Sequence, residues 1–460
     1  MIATLAATGL IAAFMQTVVT PIIPELPTLL STTRADASWV LTATLLAAAI
    51  STPISGRLGD MYGKRRIMLA LLVIMAVGCV VAALSNSLIP MVVGRVLQGV
   101  GLGVIALGIS ILRDVIHPKN LGGAVALVSA TLGVGGALGL PLAATIAQYL
   151  DWHFLFWLAT ALSIVAILAV VTVIPVSTLR TGGHFDVVGA LGLAVGLVGI
   201  LLAVAKGTEW GWTSPLTLGL LGGGLAVLVG WGFFELRTTN PLVDLRVASR
   251  RTVLLTNLAS ISVGFAFFVC TASLPIVLES PAGGGVGLGL PLILASLCLM
   301  PLGLVMFFLS PVAARLSAAR GPRTSLILGG IVITIGFVLA VFLLDEVWHV
   351  ILVSTITGVG VGFAYAAMPT LIMRAVPPGE TAAANGLNSV MRTLGSTISA
   401  TLVGIILATH VSDGAPTRAA FGYVFVLGAA VVLAGVVLAL FIPRKFANYD
   451  TSSIPVQRGT

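Results

Sequence analysis

The chain has 460 residues, 58% of them hydrophobic and only 8% charged, with a mean hydropathy of +1.15. A soluble domain carries about 25% charged residues, so an ordinary soluble globule, a disordered chain and a nucleic-acid binder are all excluded. The net charge of +8 comes from Lys and Arg scattered in short gaps between apolar runs, and no basic patch forms.

A membrane-spanning helix needs roughly 20 apolar residues, because the hydrocarbon core is about 30 Å thick and each helical residue rises about 1.5 Å. Lipid offers free backbone groups no partners, so such runs must be helical. About fourteen runs meet this length. The first, at 2–24, lacks the basic leader of a signal peptide and reads as the first of many spans. Then come 39–57, 66–85, 89–112, 121–149 and 153–175, followed by 186–206 and 215–235. The rest are 252–278, 286–312, 324–343, 348–372, 383–410 and 419–442. We number these helices 1 to 14. Short connections leave no room for a soluble domain; the longest polar stretches are Glu235–Arg251 and the tail after Pro443. The fold class is an all-α polytopic membrane protein.

Most of the Lys and Arg residues fall in even-numbered loops and the C-terminal tail, among them Arg57, Lys64, Arg65, Arg66, Arg113, Lys119, Arg180, Arg323, Arg444, Lys445 and Arg458. Arg34, Lys206 and Arg418 fall in odd-numbered loops, and Arg95 and Arg392 inside helices. The positive-inside rule then places both termini in the cytoplasm. Odd loops carry acids instead, such as Asp36, Asp151 and Asp413.

The chain also resembles itself. Gly56–Arg65 recurs as Ala314–Arg323, with Arg57, Leu58, Gly63 and Arg65 matched by Arg315, Leu316, Gly321 and Arg323. Further on, Gly99, Gly101, Gly103 and Pro118 are matched by Gly358, Gly360, Gly362 and Pro377. Two six-helix bundles with two inserted helices (6 + 2 + 6) produce this spacing. The expected division is an N-terminal bundle at 1–180, the inserted helices and a cytoplasmic linker at 181–250, a C-terminal bundle at 251–445 and a tail at 446–460. Paired bundles are the plan of many secondary transporters, whose halves rock about a midplane site.

The run Gly56-Arg57-Leu58-Gly59-Asp60-Met61-Tyr62-Gly63-Lys64-Arg65-Arg66 resembles the loop between helices 2 and 3 of the major facilitator superfamily. The chain as a whole resembles the superfamily's fourteen-span drug:proton antiporters, the QacA-like multidrug exporters. Arg95-Val96-Leu97-Gln98-Gly99-Val100-Gly101, Pro24-Glu25-Leu26 and Asn240-Pro241-Leu242-Val243-Asp244-Leu245 support the likeness. In the loop, Gly56 and Gly63 permit tight turns and close helix approach. Asp60 beside Arg57, Lys64, Arg65 and Arg66 can form charged hydrogen bonds across the ends of the halves, or be a solvated loop acid. The resemblance implies a latch on the outward-facing state, one-sided because Ala318 replaces the acid in the second copy.

Arg95 lies inside an apolar run, where a charge costs about 2.5–3.5 kcal/mol and calls for a cavity or a partner. The resemblance gives it, with Gln98 and Gly99, a part in proton coupling; the other reading is a tie between helices through carbonyls. Arg392 is similar, and within reach of snorkelling. Gly135, Gly136, Gly139 and Pro141 of helix 5 look like the antiporter motif, in which small residues pack tightly and Pro bends the helix. Leu140, Ala143 and Ala144 depart from it. Met15 stands where these exporters carry an Asp, and no Asp or Glu falls near the centre of any predicted helix. A proton carrier must change charge, commonly as a desolvated carboxylate. Glu25, Asp36 and Glu279 are the candidates, each also readable as a solvated acid; His153 and His410 read as interfacial.

Gln16, Thr17, Gln98, Asn257, Tyr365, Asn388 and Arg392 are placed to reach a cavity between helices 1, 2, 4, 5 and 9, 10, 12, 13, or to bond between helices. Gly99-x-Gly101-x-Gly103 lies within a helix and the glycines at 283–289 follow no strand, so neither is a nucleotide loop. Cys79, Cys270 and Cys298 lack metal-site spacing. No cofactor or metal is expected, and the driving force is a proton gradient. Trp39, Trp152, Trp210, Trp212 and Trp348 form an aromatic belt. The expected activity is proton-driven export of small lipophilic molecules across the cell membrane by a monomer, with neutral or weakly charged substrates preferred over cationic dyes. An importer or metabolite facilitator on the same fold is the alternative. A membrane-embedded enzyme or lipid-handling scaffold is the remote one, since no nucleophile–base or metal set is found.

Overall fold

The computed structural model describes residues 1–23, 25–176, 184–281, 286–412 and 415–443, and only the backbone of residues 34, 35, 118, 119 and 415. Pro24, Arg180, Asp413, the glycines at 283–285, the tail from Arg444 onward and the side chains of Arg34 and Lys119 lie outside the described residues. Among the described residues, thirteen helices are long and apolar enough to cross a membrane, or fourteen if one bent pair counts as a single span.

In the numbering above, helices 1 to 5 are Ile2–Thr17, Trp39–Tyr62, Lys64–Ala83, Leu88–Val115 and Pro118–Tyr149. Helices 6 to 9 are His153–Val173, Val187–Trp210, Pro215–Arg237 and Arg251–Glu279. Helix 10 is the bent pair Leu292–Phe308 and Ser310–Arg320. Helices 11 to 14 are Pro322–Phe342, Val347–Ala375, Thr381–Thr409 and Arg418–Leu440.

Three departures from the predicted runs have local causes. Helix 1 stops at Thr17, not at 24, because Pro21 lacks an amide to continue the ladder. Helix 4 is interrupted at Leu102 and Gly103, beside Gly99 and Gly101, where glycine weakens helix propensity. Helix 10 bends by 41° and runs on to Arg320, the bend lying at Leu309 just before Pro311.

Apolar side chains of helices 1–6 form one core, and those of helices 9–14 another. A smaller cluster joins Ala49 of helix 2, Leu193 and Leu197 of helix 7, Leu242 and Val390 of helix 13. The inserted pair therefore leans on the seam between helices 2 and 13. Helix 8 is the least buried of the apolar helices, at 11% of its most apolar window, as an outer, lipid-facing helix should be.

The internal repeat is visible in the backbone. Gly63 and Gly321 turn at φ 105° and 87°, a region that costs side chains strain and glycine little. Gly99 meets the Thr44 carbonyl of helix 2, and its match Gly358 meets Leu302 of helix 10. Gly101 packs on Met75 of helix 3, and Gly360 on Gly329 of helix 11. The matched glycines seat helix 4 and helix 12 in the same way. Arg65 donates to the Val171 carbonyl at the end of helix 6 (2.6 Å), and Arg323 to those of Ala439 (3.2 Å) and Leu440 at the end of helix 14. The end of the bundle carrying Gly63, Lys64, Gly321 and Arg323 is called the basic end below.

Candidate functional site

The two cores meet along two seams at the basic end. Along the first, helix 2 crosses helix 13 through glycines. A Cβ on Gly56 would lie 2.6 Å from the Ala382 carbonyl, and one on Gly386 2.9 Å from that of Thr52. Along the second, Ala126 of helix 5, Ala313 of helix 10, and Phe363 and Ala366 of helix 12 form an apolar cluster, while Gly133 and Gly303 let helices 5 and 10 touch deeper down.

Asp60 lies in the last turn of helix 2 and is 2% exposed. Its Oδ2 accepts hydrogen bonds from the Ala382 and Ala383 amides, each at 3.2 Å. These are free amides at the start of helix 13, where the helix dipole favours an anion. Asp60 Oδ1 lies 3.7 Å from Lys64 Nζ. Lys64 in turn donates to both carboxylate oxygens of Asp114 at 2.8 Å. Next to Asp114, Arg113 crosses the same seam and donates to Thr381 Oγ1 at 2.5 Å and to the Val376 carbonyl at 3.1 Å. Asp60 and Arg113 thus grip the start of helix 13 from both sides.

This is not the arrangement the loop sequence suggests on its own. Asp60 does reach across the halves, but to backbone amides and not to the loop arginines. Lys64 supports it from within its own half. Arg65 is spent on helix 6, Arg66 is exposed, and Arg57 lines a cleft of about 270 Å³ with Thr239–Asp244 and Glu380. In the second copy Ala318 is exposed. Asp114 and Arg113 are the members that sequence reading leaves among ordinary positive-side residues; the run Arg113-Asp114 at a helix end, next to a basic loop, is the only signal they give.

Arg95, in helix 4, is fully buried. Its Nε donates to the Val40 carbonyl at 3.2 Å, and its Nη1 to the Met15 carbonyl at 3.1 Å and to Gln98 Oε1 at 2.5 Å. Met15 lies in the last turn of helix 1, where carbonyls lack amides further along. The guanidinium therefore ties helix 4 to helices 1 and 2 where the related exporters would place a helix-1 acid. Cys79 Sγ sits 3.6 Å from Met15 Sδ beside it.

The helix-5 motif packs helix 1. Gly135 faces Ala13 and the Leu10 carbonyl, and Gly139 faces Thr17 and Phe14. Gly136 leaves room, with Thr17 Cγ2 3.8 Å from where a Cβ would stand. Pro141 is buried within helix 5.

The seven cavity candidates do not gather into one chamber. Gln16 is exposed. Thr17 donates to the Phe14 carbonyl at 3.2 Å, and Gln98 serves Arg95. Asn388 donates to Asn257 Oδ1 at 2.9 Å and to Ser260 Oγ at 2.7 Å, tying helix 13 to helix 9. The Arg392 guanidinium lies 4.8 Å from the centre of the Tyr365 ring and donates to Ser389 at 3.3 Å. The acid candidates Glu25, Asp36 and Glu279 are all exposed, and Asp36 accepts from Thr33 Oγ1 at 2.7 Å. None of them is buried as Asp60 is. The buried carboxylates lie at helix ends instead, in Asp60 and Glu235.

Two ends opposite the basic one are also tied. Lys206 of helix 7, 2% exposed, donates to Ser38 at 2.5 Å and to Glu209 at 2.8 Å, and lies 5.0 Å over the Trp39 ring. Asp151 starts helix 6 by accepting from the His153 amide at 2.8 Å. That bond, followed by the His153 ring, holds its carboxyl below the usual range.

A family model described as Major Facilitator Superfamily matches residues 5–400 and 306–455. MdtD of Salmonella paratyphi A, a protein named for multidrug resistance, is 27% identical over 445 residues, covering 94% of this chain and 93% of its own. An uncharacterised MFS-type transporter of Mycobacterium tuberculosis is 29% identical over 271 residues. That match spans 58% of this chain and 39% of the mycobacterial protein's length. Among solved structures, the human organic anion transporter MFSD10 superposes with a TM-score of 0.66 at 16% identity, covering 95% of this chain and 98% of its own. The proton:xylose symporter XylE superposes with 0.67 at 15%, covering 97% and 96%. At these identities the structures establish the fold.

Proposed function

The chain belongs to the major facilitator superfamily, a multi-pass membrane transporter and not an enzyme, and from that premise we propose that it exports small lipophilic molecules in exchange for protons by alternating access. The observation that carries this reading is the clamp of Asp60 and Arg113 on the start of helix 13. It closes the helix 2–13 seam at the basic end, as one state of a rocking pair requires. Most Lys and Arg residues lie at that end, which supports reading it as cytoplasmic and the state as outward-facing. The reading includes fourteen spans with both termini cytoplasmic and a 6 + 2 + 6 division at residues 180 and 250. The likeness to MdtD along nearly the whole chain supports drugs as the substrate class. The cell membrane, a monomer and a proton gradient as the only energy source complete the reading.

Export for protons is tested in liposomes holding the purified chain, a pH indicator and an imposed pH gradient. Adding a transported drug to the protein's cytoplasmic face should move protons the opposite way to the drug. Drug and protons moving together would make the chain an importer, the reading that the departures at Leu140, Ala143 and Ala144 keep in view. Labelling a cysteine placed after Pro443 from either side of sealed vesicles checks the orientation.

A further inference from the structure

We infer that Arg392 is the anchor of a subsite for amphiphilic carboxylates, so that the chain favours organic monoanions over cations. The starting point is the balance of charge inside the bundle. Among the described residues, every Asp and Glu in a membrane-length helix lies in its first or last turns: Asp60, Asp114, Glu209, Glu235 and Glu279. Two guanidiniums, of Arg95 and Arg392, sit two turns or more inside. The interior of the bundle is therefore positive, with no fixed carboxylate to balance it.

The two arginines are held differently. Arg95 spends its fork on two carbonyls and an amide oxygen from helices 1, 2 and 4, and is fully buried. Nothing can reach it without dismantling the N-terminal bundle. Arg392 has one side-chain hydrogen bond, to Ser389 on its own helix, and the face of Tyr365. Its Nη1 is shielded from solvent and has no hydrogen-bond partner among the described residues. The residue as a whole is only half-buried, where Arg95 is fully buried. Its backbone is fixed, since Gly264 of helix 9 packs on the Arg392 carbonyl. Phe267 stands 6.0 Å from the Tyr365 ring and extends an aromatic wall beside the charge.

A guanidinium presents parallel N–H donors that match a carboxylate two at a time. A buried charge with an unused donor calls for a partner of opposite sign. An aromatic wall suits an apolar body. Together these select a planar anion on a hydrophobic skeleton, and they repel a quaternary ammonium. The membrane potential, negative inside, pushes such an anion outward. The inference rests on the export reading for the direction of movement only.

The test uses the full chain and three probes with one skeleton: pyrenebutyrate, pyrenebutyramide and a pyrenebutyl trimethylammonium. Equilibrium binding is read in detergent by pyrene fluorescence, and transport in liposomes under a pH gradient. The carboxylate should bind at least about tenfold tighter than the ammonium, the worth of one good charged contact. In R392Q the carboxylate should lose its advantage over the amide, and R392K should keep part of it as a point charge. Equal or tighter binding of the ammonium by the unaltered chain would overturn the proposal, as would an R392Q protein that keeps the carboxylate-to-amide ratio. If R392Q does not fold, the probe ranking of the unaltered chain and of R392K still decides. Selective binding of the carboxylate without transport of any probe would leave the subsite standing and sink the export reading. Transport of the ammonium in preference to the carboxylate would do the reverse.

Discussion

The turn between helices 2 and 3 and the turn between helices 10 and 11 have one backbone and two jobs. Both pivot on a glycine of positive φ, Gly63 and Gly321, and both send an arginine, Arg65 or Arg323, to the last carbonyls of a distant helix of their own half. They part at Asp60 and Ala318. Asp60 is buried and grips the start of helix 13, while Ala318 faces outward. The same split recurs deeper. The shift that pairs Gly99 with Gly358 pairs Arg95 with Ser354, whose hydroxyl donates to Ile351 of its own helix at 2.9 Å. What each bundle needs in order to fold appears twice. What joins the halves, or carries charge into the membrane, appears once. One seam at the basic end is held by charge and the other by the apolar contacts of Ala126, Ala313 and Phe363.

Arg95 offers the widest contrast between copies. R95A removes bonds from a charged donor to helices 1, 2 and 4. Thermal unfolding in detergent should show a loss of about 3 kcal/mol, each such bond being worth ~1.5–3 kcal/mol less the burial cost of the charge. S354A removes one local bond and should stay within about 1 kcal/mol. Equal losses would break the comparison.

The clamp comes next. D60A leaves the Ala382 and Ala383 amides without their acceptor and Lys64 without one of its carboxylates. The equilibrium between closed and open basic ends should move toward open by about 1.5–3 kcal/mol, roughly 10- to 100-fold. Distance measurements between spin labels on helices 2 and 13 read this directly. D60N, which keeps an acceptor oxygen, should lie between. An unchanged distance distribution in D60A would remove the clamp from the account.

The glycines sharpen the same point at smaller scale. G56A drives a Cβ to 2.6 Å from a backbone oxygen of helix 13, where no flexible side chain can yield. It should open the seam and cost about 1–3 kcal/mol. In G321A the new methyl group meets nothing within 4 Å, so only the φ of 87° resists, at about 1 kcal/mol. G321A should lower stability without moving helices 2 and 13 apart. Opening of that seam by G321A would show that the turns are coupled through the fold.

These contrasts also show where the sequence is readable. Hydropathy alone locates each helix to within a few residues, because lipid leaves the backbone no choice but helix. The ends that stray most are those of helix 1, which stops at Thr17 before Pro21, and of helix 10, which starts at Leu292 and runs past its bend to Arg320. The loop signature singles out Asp60, since an acid among basic residues at a helix end is a local pattern. Its partners are not local. The start of helix 13 and the Lys64–Asp114 pair come together only once two bundles have docked, and no period or spacing within either segment encodes that. Arg113 looks like one more positive-side residue, and Glu235, which accepts from the Leu242 amide at 3.2 Å, like one more helix-end acid. The exposed positions of Glu25, Asp36 and Glu279 were hidden for the same reason, because burial is a property of neighbours.

The smallest expected effect is a graft. Placing an acid in the second copy, A318D, restores the sequence pattern without its setting. Position 318 is exposed, and an aspartate there keeps its water, so stability should change by no more than about 0.5 kcal/mol. Combined with D60A, the graft should not restore closure, because the charge would stand beside the helix 5–10 seam while the freed amides belong to helix 13. If the double variant regained the closed distance distribution, either seam would serve as the latch. The single acid would then record which copy kept it and would say nothing about which seam needs it.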